Sequence, residues 1–281
     1  MKIGIVGIGV VGNAHKFGFE KLGHDVNFHD TAYPDSKLDN VMDSEVVYVC
    51  VPTPSAPDGQ CDISIVCQVV NDLILSGYAG IIAIKSTVKP GTTQELCIAY
   101  NTHQICFCPE FLRERSAEVD FIENNTLLAI GTEDDAVYNI VKESHGDYPQ
   151  SYAKLSPTEA ELLKYYSNVY NALRIIFANS MYEICESLGA NYEKIRNAFV
   201  KRGTTTGQYT LVNKNWRGYA GVCLPKDTKA LAGLVKELGL DLKLFETIDK
   251  ENDKFAATVP EGMRLWAQLW SPEIEGLSLD I

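Results

Sequence analysis

No stretch of the 281-residue chain is apolar for long enough to span a bilayer, and basic residues are few: 25 Lys and Arg stand against 37 Asp and Glu, a formal net charge of −12. The first absence argues against a membrane role. The second argues against nucleic acid or an anionic membrane surface as the main partner, although local amides and a few cations can still hold an anionic ligand. Among the eight cysteines there is no CxxC pair; Cys50, Cys97 and Cys106 sit in apolar segments and the others stand singly. That pattern predicts neither a zinc site nor a disulfide framework, and it fits a reducing cytoplasm. Signal-peptide features are also missing, because Met1 leads directly into a strand-like run, so no cleaved leader is expected. The chain contains no internal repeat and no low-complexity tract.

What is present begins with residues 2–6, a short apolar strand that runs into Gly7-Ile8-Gly9-Val10-Val11-Gly12. A helical stretch to about Leu22, a stop at Gly23, a second strand over 25–29 and then Asp30 complete the pattern. In this setting the glycines have separate tasks. Gly7 permits the tight turn, Gly9 lets the backbone approach a pyrophosphate, and Gly12 lets the helix pack on the strand. Asp30 is placed to accept hydrogen bonds from the adenosine ribose, which favours NAD over NADP. Further strand-like runs at 45–51, 81–84, 104–108 and 127–131 alternate with helical or turn segments. Such alternation implies an α/β fold with a doubly wound parallel sheet, whose ligands sit at the carboxyl ends of its strands.

Three polar motifs fall at those ends. Val51-Pro52-Thr53-Pro54 leaves its strand extended and puts Thr53 over the crevice. Lys85-Ser86-Thr87-Val88-Lys89-Pro90-Gly91-Thr92-Thr93 is a hydroxyl-rich turn. In Cys108-Pro109-Glu110-Phe111-Leu112-Arg113-Glu114, a helix opened by Pro109 would bring Glu110 and Glu114 onto one face, where two acids can handle protons or activate a water. Each motif alone is equally compatible with ordinary capping or a solvated face; three at one sheet edge are harder to explain that way.

The segment 147–155 shows turn residues and no clear periodicity, and the domain boundary is placed there. Ser156-Pro157-Thr158-Glu159 predicts a helix start, and the helix can run to Leu188, long enough to imply a bundle or a subunit interface. A shorter helix follows from Asn191 to about Lys201. On the long helix Lys164, Asn168 and Asn171 recur as a polar stripe among Leu163, Tyr166, Val169, Tyr170, Leu173, Ile176 and Phe177. The stripe reads either as a solvated face or as donors for a developing oxyanion. A polar loop over 202–217 delivers the chain to Gly218-Tyr219-Ala220-Gly221-Val222-Cys223-Leu224-Pro225-Lys226-Asp227-Thr228. Pro225 is expected to open a helix from Lys226 to about Leu238, with Cys223 at its positive end and Lys226 as a nearby cation, conditions that favour a thiolate nucleophile. The plainer alternative is a buried, inert cysteine beside a helix cap. Another helix is expected over about 242–257, and the acidic segment from Pro260, with Trp266 and Trp270, as one short helix.

Taken in order, GIGVVG, VPTP, KSTVKPGTT, PEFLRE, EAELLKYYSN and GYAGVCLPKDT resemble the UDP-glucose/GDP-mannose dehydrogenase family over residues 1 to about 253. The resemblance implies a four-electron oxidation in which the primary alcohol of a nucleotide sugar becomes a carboxylate and two NAD⁺ are reduced. By motif position, Cys223 would attack the intermediate aldehyde and carry the thiohemiacetal and thioester. Lys164 and Asn168 would stabilise the oxyanion, Asp227 would act with a water in proton transfer, and Glu110 would activate the hydrolytic water. Gly7, Gly9, Val11, Gly12, Asp30, Thr53, Thr87, Glu114 and Lys226 would line the NAD site, with Thr87 also counted among the catalytic residues. Glu110, Phe111, Leu112, Arg113, Lys164, Asn168, Arg202 and Gly218 would meet the sugar nucleotide.

The sequence departs from the family at three places. Ala220-Gly221 stands where two glycines are usual, Asp35 lies near the position of a common basic residue, and only a short segment follows Asp253 where full members continue into a second Rossmann-like domain. The expected organisation is therefore an NAD-binding Rossmann domain over 1–155, an all-helical dimerisation domain over 156–257 and a short tail over 258–281. A homodimer through the long helix is expected, as is a separate chain as one source of the third domain. Two other readings remain at this point: a two-domain dehydrogenase of the β-hydroxyacid type, against which the Cys223 motif argues, and a catalytically silent NAD-binding dimeric partner module.

Overall fold

The structure, a computed structural model, describes residues 1–56, 58–221 and 223–256; the expected C-terminal tail with Trp266 and Trp270 lies outside the described residues, as does Val222 of the cysteine motif. The chain divides into two compact units, one of residues 1–56 and 61–164, the other of residues 57–60 and 165 onward.

In the first unit the strands β1 (Lys2–Val6), β2 (Asp25–His29), β3 (Val46–Val49), β4 (Ile81–Ile84), β5 (Ile105–Phe107), β6 (Leu128–Gly131) and β7 (Tyr152–Leu155) form one sheet in the order β2-β1-β3-β4-β5-β6-β7. Pairing is parallel from β2 through β5; β6 meets β5 antiparallel at Phe107–Gly131, and β7 lies parallel to β6. The central strands are apolar in both alternating positions because both sheet faces are covered. Val47, Val49, Ile82, Ile84 and Phe107 pack with Val66, Val70 and Leu73 of α2 (Ser64–Leu75) and Leu96 of α3 (Thr92–Ala99). Val46, Tyr48, Ala83, Cys106 and Ile130 face the other way. They meet Phe19 of α1 (Val10–Lys21), Phe121 of α4 (Ala117–Ile122) and Val137 and Val141 of α5 (Asp135–Ser144).

β7 corrects the expectation of an irregular stretch over 147–155. Tyr152, Ala153 and Leu155 are half-buried and Lys154 is exposed, an edge strand too short to show alternation. From there α6 (Pro157–Ser187) starts as expected. Ser156 N donates to Glu159 Oε2 at 2.8 Å, and Glu159 N donates to Ser156 Oγ at 3.3 Å, a reciprocal capping box.

The second unit holds the rest of α6 together with α7 (Tyr192–Val200), α8 (Cys223–Glu237) and α9 (Leu244–Ala256). Asn191 caps α7 by accepting from Lys194 N at 2.9 Å. Val169, Ala172 and Ile176 of α6 form a core with Tyr219, Ile248 and Phe255. Arg217 is buried and reaches Asn179 Oδ1 (2.7 Å) and Glu183 on α6, with its guanidinium over Tyr182 and Phe255. Asn252 clamps the backbone of Tyr219 from both sides, accepting from its N at 2.8 Å and donating to its O at 2.9 Å. These contacts fix the chain that approaches Cys223.

Candidate active site

In the strand order the chain leaves β1 toward β2 on one side and leaves β3 toward β4 on the other, so the crevice between the β1 and β3 ends is the expected ligand position. Gly7 lies there with φ +95, and an added Cβ would meet Cys50 O at 2.6 Å, so only glycine fits. A Cβ on Gly12 would stand 1.9 Å from Gly7 O. Gly9 has open space beyond it. It begins α1 without a side-chain cap and without an acid in the first turn, leaving the Val10, Val11 and Gly12 end of the helix suited to a phosphate. Asp30 Oδ2 accepts from Ile8 N at 2.6 Å and Oδ1 from Ala32 N at 2.8 Å, which fixes the carboxylate beside the glycine loop. These residues fit a dinucleotide.

The neighbouring strand ends are tied together. Ser86 Oγ donates to Val51 O at 2.7 Å, joining the chain after β4 to that leading to Thr53, and Cys61 Sγ donates to Thr87 O at 3.2 Å. Thr53 is buried and Thr87 half-buried. At the far end of the hydroxyl-rich turn, Glu161 on α6 is fully buried and accepts from Gly91 N at 2.5 Å and Thr93 N at 2.8 Å. Burial pushes its carboxyl above the ordinary range. The sequence reading missed Glu161, because an acid in a helix of mixed charge carries no mark of burial.

Residues 108–113 are irregular, so the expected helix from Pro109 with Glu110 and Glu114 on one face is not formed. Glu110 instead turns back on its own loop. Its Oε2 accepts from Leu112 N at 2.7 Å, and Lys164 Nζ donates both to Glu110 O (2.5 Å) and to Glu110 Oε1 (2.8 Å). Glu114 is exposed and begins a short 3₁₀ turn. Pro109 favours an extended predecessor at Cys108, and the carboxylate–amide closure at Glu110 competes with a helical turn. Phe111 and Leu112 are half-buried, with Lys164 Nζ 5.7 Å from the Phe111 ring centroid. Arg113 binds Asp120, its Nε at 3.0 Å from Oδ2 and an Nη at 2.7 Å from Oδ1, and these bonds with that from Arg113 N lower the Asp120 carboxyl to about 2 against the opposing effect of burial. Lys164 is only 4% exposed, which excludes the solvated-face reading at that position.

In the second unit, α8 begins at Cys223 itself, three residues earlier than expected, with Pro225 in its first turn. Cys223 is exposed, contrary to the buried-cysteine alternative, and the first turn carries no acid. One turn on, Asp227 is fully buried; its Oδ1 accepts from Lys226 Nζ at 2.6 Å and its Oδ2 from Asn168 Nδ2 at 2.6 Å. Asn168 and Asn171 are half-buried, and Asn171 Oδ1 accepts from Arg174 at 2.5 Å. Gly218 has φ +65, and its N donates to Asn179 Oδ1 at 3.2 Å. Arg202 is exposed in the turn after α7.

A largely parallel sheet with a glycine loop at its switch point, followed by a helical unit, defines a class of dinucleotide-binding proteins built from two units. Within that class, residues 33–147 match the NAD binding domain of the UDP-glucose/GDP-mannose dehydrogenase family and residues 158–254 match its central domain. The chain belongs to this family. UDP-glucose 6-dehydrogenase TuaD of Bacillus subtilis is 32% identical over 220 residues, covering 75% of this chain and 47% of that protein. A UDP-glucose dehydrogenase structure from Pyrobaculum islandicum superposes with TM-score 0.82 at 26% identity, covering 90% of this chain and 68% of that one. The fold also matches Mycobacterium tuberculosis 3-hydroxyisobutyrate dehydrogenase (TM-score 0.73, 17% identity, 91% and 94% coverage). The chain spans about half the length of the curated relatives it matches.

Proposed function

We propose that the chain oxidises the primary alcohol of a nucleotide sugar of the UDP-glucose type to the uronate, with Cys223 as nucleophile. The observation that carries this reading is an exposed thiol on the first residue of α8, with a buried carboxylate, Asp227, one turn away between Asn168 and Lys226. The family's NAD-binding domain would hold the oxidant, and NAD⁺ bound there would supply the hydride acceptor for each of the two oxidations, one equivalent per step. Gly7, Gly9, Val11, Gly12, Asp30, Thr53, Thr87, Glu114 and Lys226 are the residues assigned to it.

The alcohol loses a hydride and a proton to become the aldehyde. The Cys223 thiolate adds to that carbon, and the oxygen takes a proton, with the α8 N-terminus favouring negative charge on sulfur. Loss of the second hydride and the hydroxyl proton leaves a thioester. Water then attacks, the carbon–sulfur bond breaks, and carboxylate and thiolate separate. Glu110 takes the proton of that water, and Asp227 moves protons through a bound water. Lys164 and Asn168 already hold Glu110 and Asp227, so donating to the oxyanion requires them to share or exchange those bonds. The Glu110–Arg113 loop, Arg202 and Gly218 are assigned to the substrate.

The test is NADH yield with a panel of nucleotide sugars. Two NADH per UDP-glucose or a relative, lost in Cys223→Ser, supports the reading. One NADH per substrate, unchanged in the variant, would overturn it in favour of a simple alcohol dehydrogenase such as the β-hydroxyacid type, whose fold the chain shares. NAD binding without turnover of any sugar would favour the silent module, or a further domain supplied by a separate chain. The outer face of α6 carries Tyr166, Tyr170, Phe177 and Ile184 at 72%, 51%, 60% and 50% exposure, which supports a homodimer through this helix; sedimentation as a monomer at micromolar concentration would exclude it.

A further inference from the structure

The sheet face that carries α1, α4 and α5 holds a charge the reaction does not use. Lys85 follows β4 and is 4% exposed. Its ammonium stands 5.8 Å from the Tyr48 ring centroid, and among the described residues it has no carboxylate partner. His15 and His145 are each 1% exposed, with ring centroids 6.3 Å apart. Each Nδ1 lies one turn from a backbone carbonyl of its own helix, at 2.8 Å from Val11 O and 2.9 Å from Val141 O. A carbonyl only accepts, so each Nδ1 carries the hydrogen and each Nε2 presents a lone pair. His145 Nε2 is buried without a partner. Burial, reinforced by the Lys85 charge, lowers both imidazoles, His145 to about 3 and His15 well below its ordinary value, so both are neutral.

All three side chains line one cavity of ≈ 60 Å³, together with Glu110, Asp120 and Asn124. A single water needs only about 10–15 Å³. Of the two carboxylates in the lining, Glu110 is taken by Lys164 and Asp120 by Arg113. A buried ammonium without an anion of its own is strongly unfavourable, and an orphaned imidazole nitrogen adds to that cost. A cation is excluded by Lys85. A fully deprotonated anion would satisfy the ammonium but would face two lone pairs. A group with a negative oxygen on one side and a hydroxyl hydrogen on the other meets both needs at once.

We propose that this cavity binds a small oxyanion that retains a proton, of the hydrogenphosphate or hydrogencarbonate class, with the Lys85 ammonium on its charged oxygen and Nε2 of His145 as the acceptor of its hydroxyl hydrogen. The site is separate from the glycine loop and needs no nucleotide sugar.

Calorimetric titration of the full chain tests this at neutral pH and constant ionic strength, with NADH saturating so that the glycine loop is filled. Phosphate, hydrogencarbonate and sulfate are compared as potassium salts. One equivalent of phosphate or of hydrogencarbonate is expected to bind, the two arms identifying which. Sulfate, which has no hydrogen to offer, is expected to bind at least about tenfold more weakly. Lys85→Met should abolish binding and raise the melting temperature in anion-free buffer. His145→Phe keeps the packing and should weaken binding about tenfold, and it decides the matter if Lys85→Met does not fold. No saturable binding of any of the three would mean that the cavity holds water alone and would overturn the proposal. Equal affinity for sulfate and phosphate, or an unchanged affinity in both variants, would do the same.

Discussion

Removing Lys164 and removing the charge of Glu110 should not cost the same. The pair is buried, with side-chain exposures of 4% and 12% and a separation of 2.8 Å. In Lys164→Met the Glu110 carboxylate keeps only the Leu112 amide among these bonds, at 2.7 Å. A buried charge left without its partner costs about 3–5 kcal/mol. In Glu110→Gln the lysine retains the Glu110 backbone carbonyl at 2.5 Å and an amide oxygen in place of the carboxylate. The expected loss is about 1–2 kcal/mol. Urea unfolding followed by circular dichroism measures both. A Lys164→Met penalty below about 1 kcal/mol, or no larger than that of Glu110→Gln, would refute the picture of a desolvated pair.

Three further outcomes follow from the packing. Because the folded-state values of His15 and His145 lie below the ordinary 6.5, unfolding takes up protons, so stability is full above about pH 6.5 and falls as pH drops toward 3; acid titration should show a slope of up to about 2.7 kcal/mol per pH unit, halved in His145→Phe. Glu161→Gln replaces one acceptor with a donor facing Gly91 or Thr93, so it should cost about 1–3 kcal/mol in thermal unfolding and raise the NAD dissociation constant severalfold by loosening the Thr87 turn; unchanged NAD affinity would separate the turn from the cofactor. Asn252→Ala should cost about 2–3 kcal/mol through the two unsatisfied backbone groups of Tyr219, and lysine-independent alkylation of Cys223 should speed up as its approach loop loosens.

Much of this architecture is legible in the chain because local signals agree with tertiary ones. The glycine loop, Asp30, the capping box at Ser156 and Glu159 and the strand over residues 81–84 each have a short-range cause. The irregular Glu110 loop is not legible, because its closure depends on Lys164, 54 residues away in sequence. The burial of Lys85 and Glu161 is hidden for the same reason: lysine and glutamate are usually exposed, and only the assembled sheet and helix enclose them. The edge strand at Tyr152 is short enough for the turn-forming residues before it to dominate. Placing Cys223 near a helix start required only Pro225 and the glycines, yet Lys226 turned to Asp227, a preference set by the buried carboxylate.

The opening turns of α6 also act as a ruler. Glu161 holds the turn that carries Thr87, and Lys164 holds the loop of Glu110; the two anchors are three residues apart on one helix. Their separation is therefore about 4.5 Å along the axis and some 60° around it, values set by the helical repeat. Both loops can vary in sequence while their spacing is kept, since the gauge lies elsewhere. Conversely, one alanine inserted between Glu161 and Lys164 would leave every side chain in the two loops intact but swing one anchor by about 100° relative to the other. Here phase is as much a part of the site as chemistry.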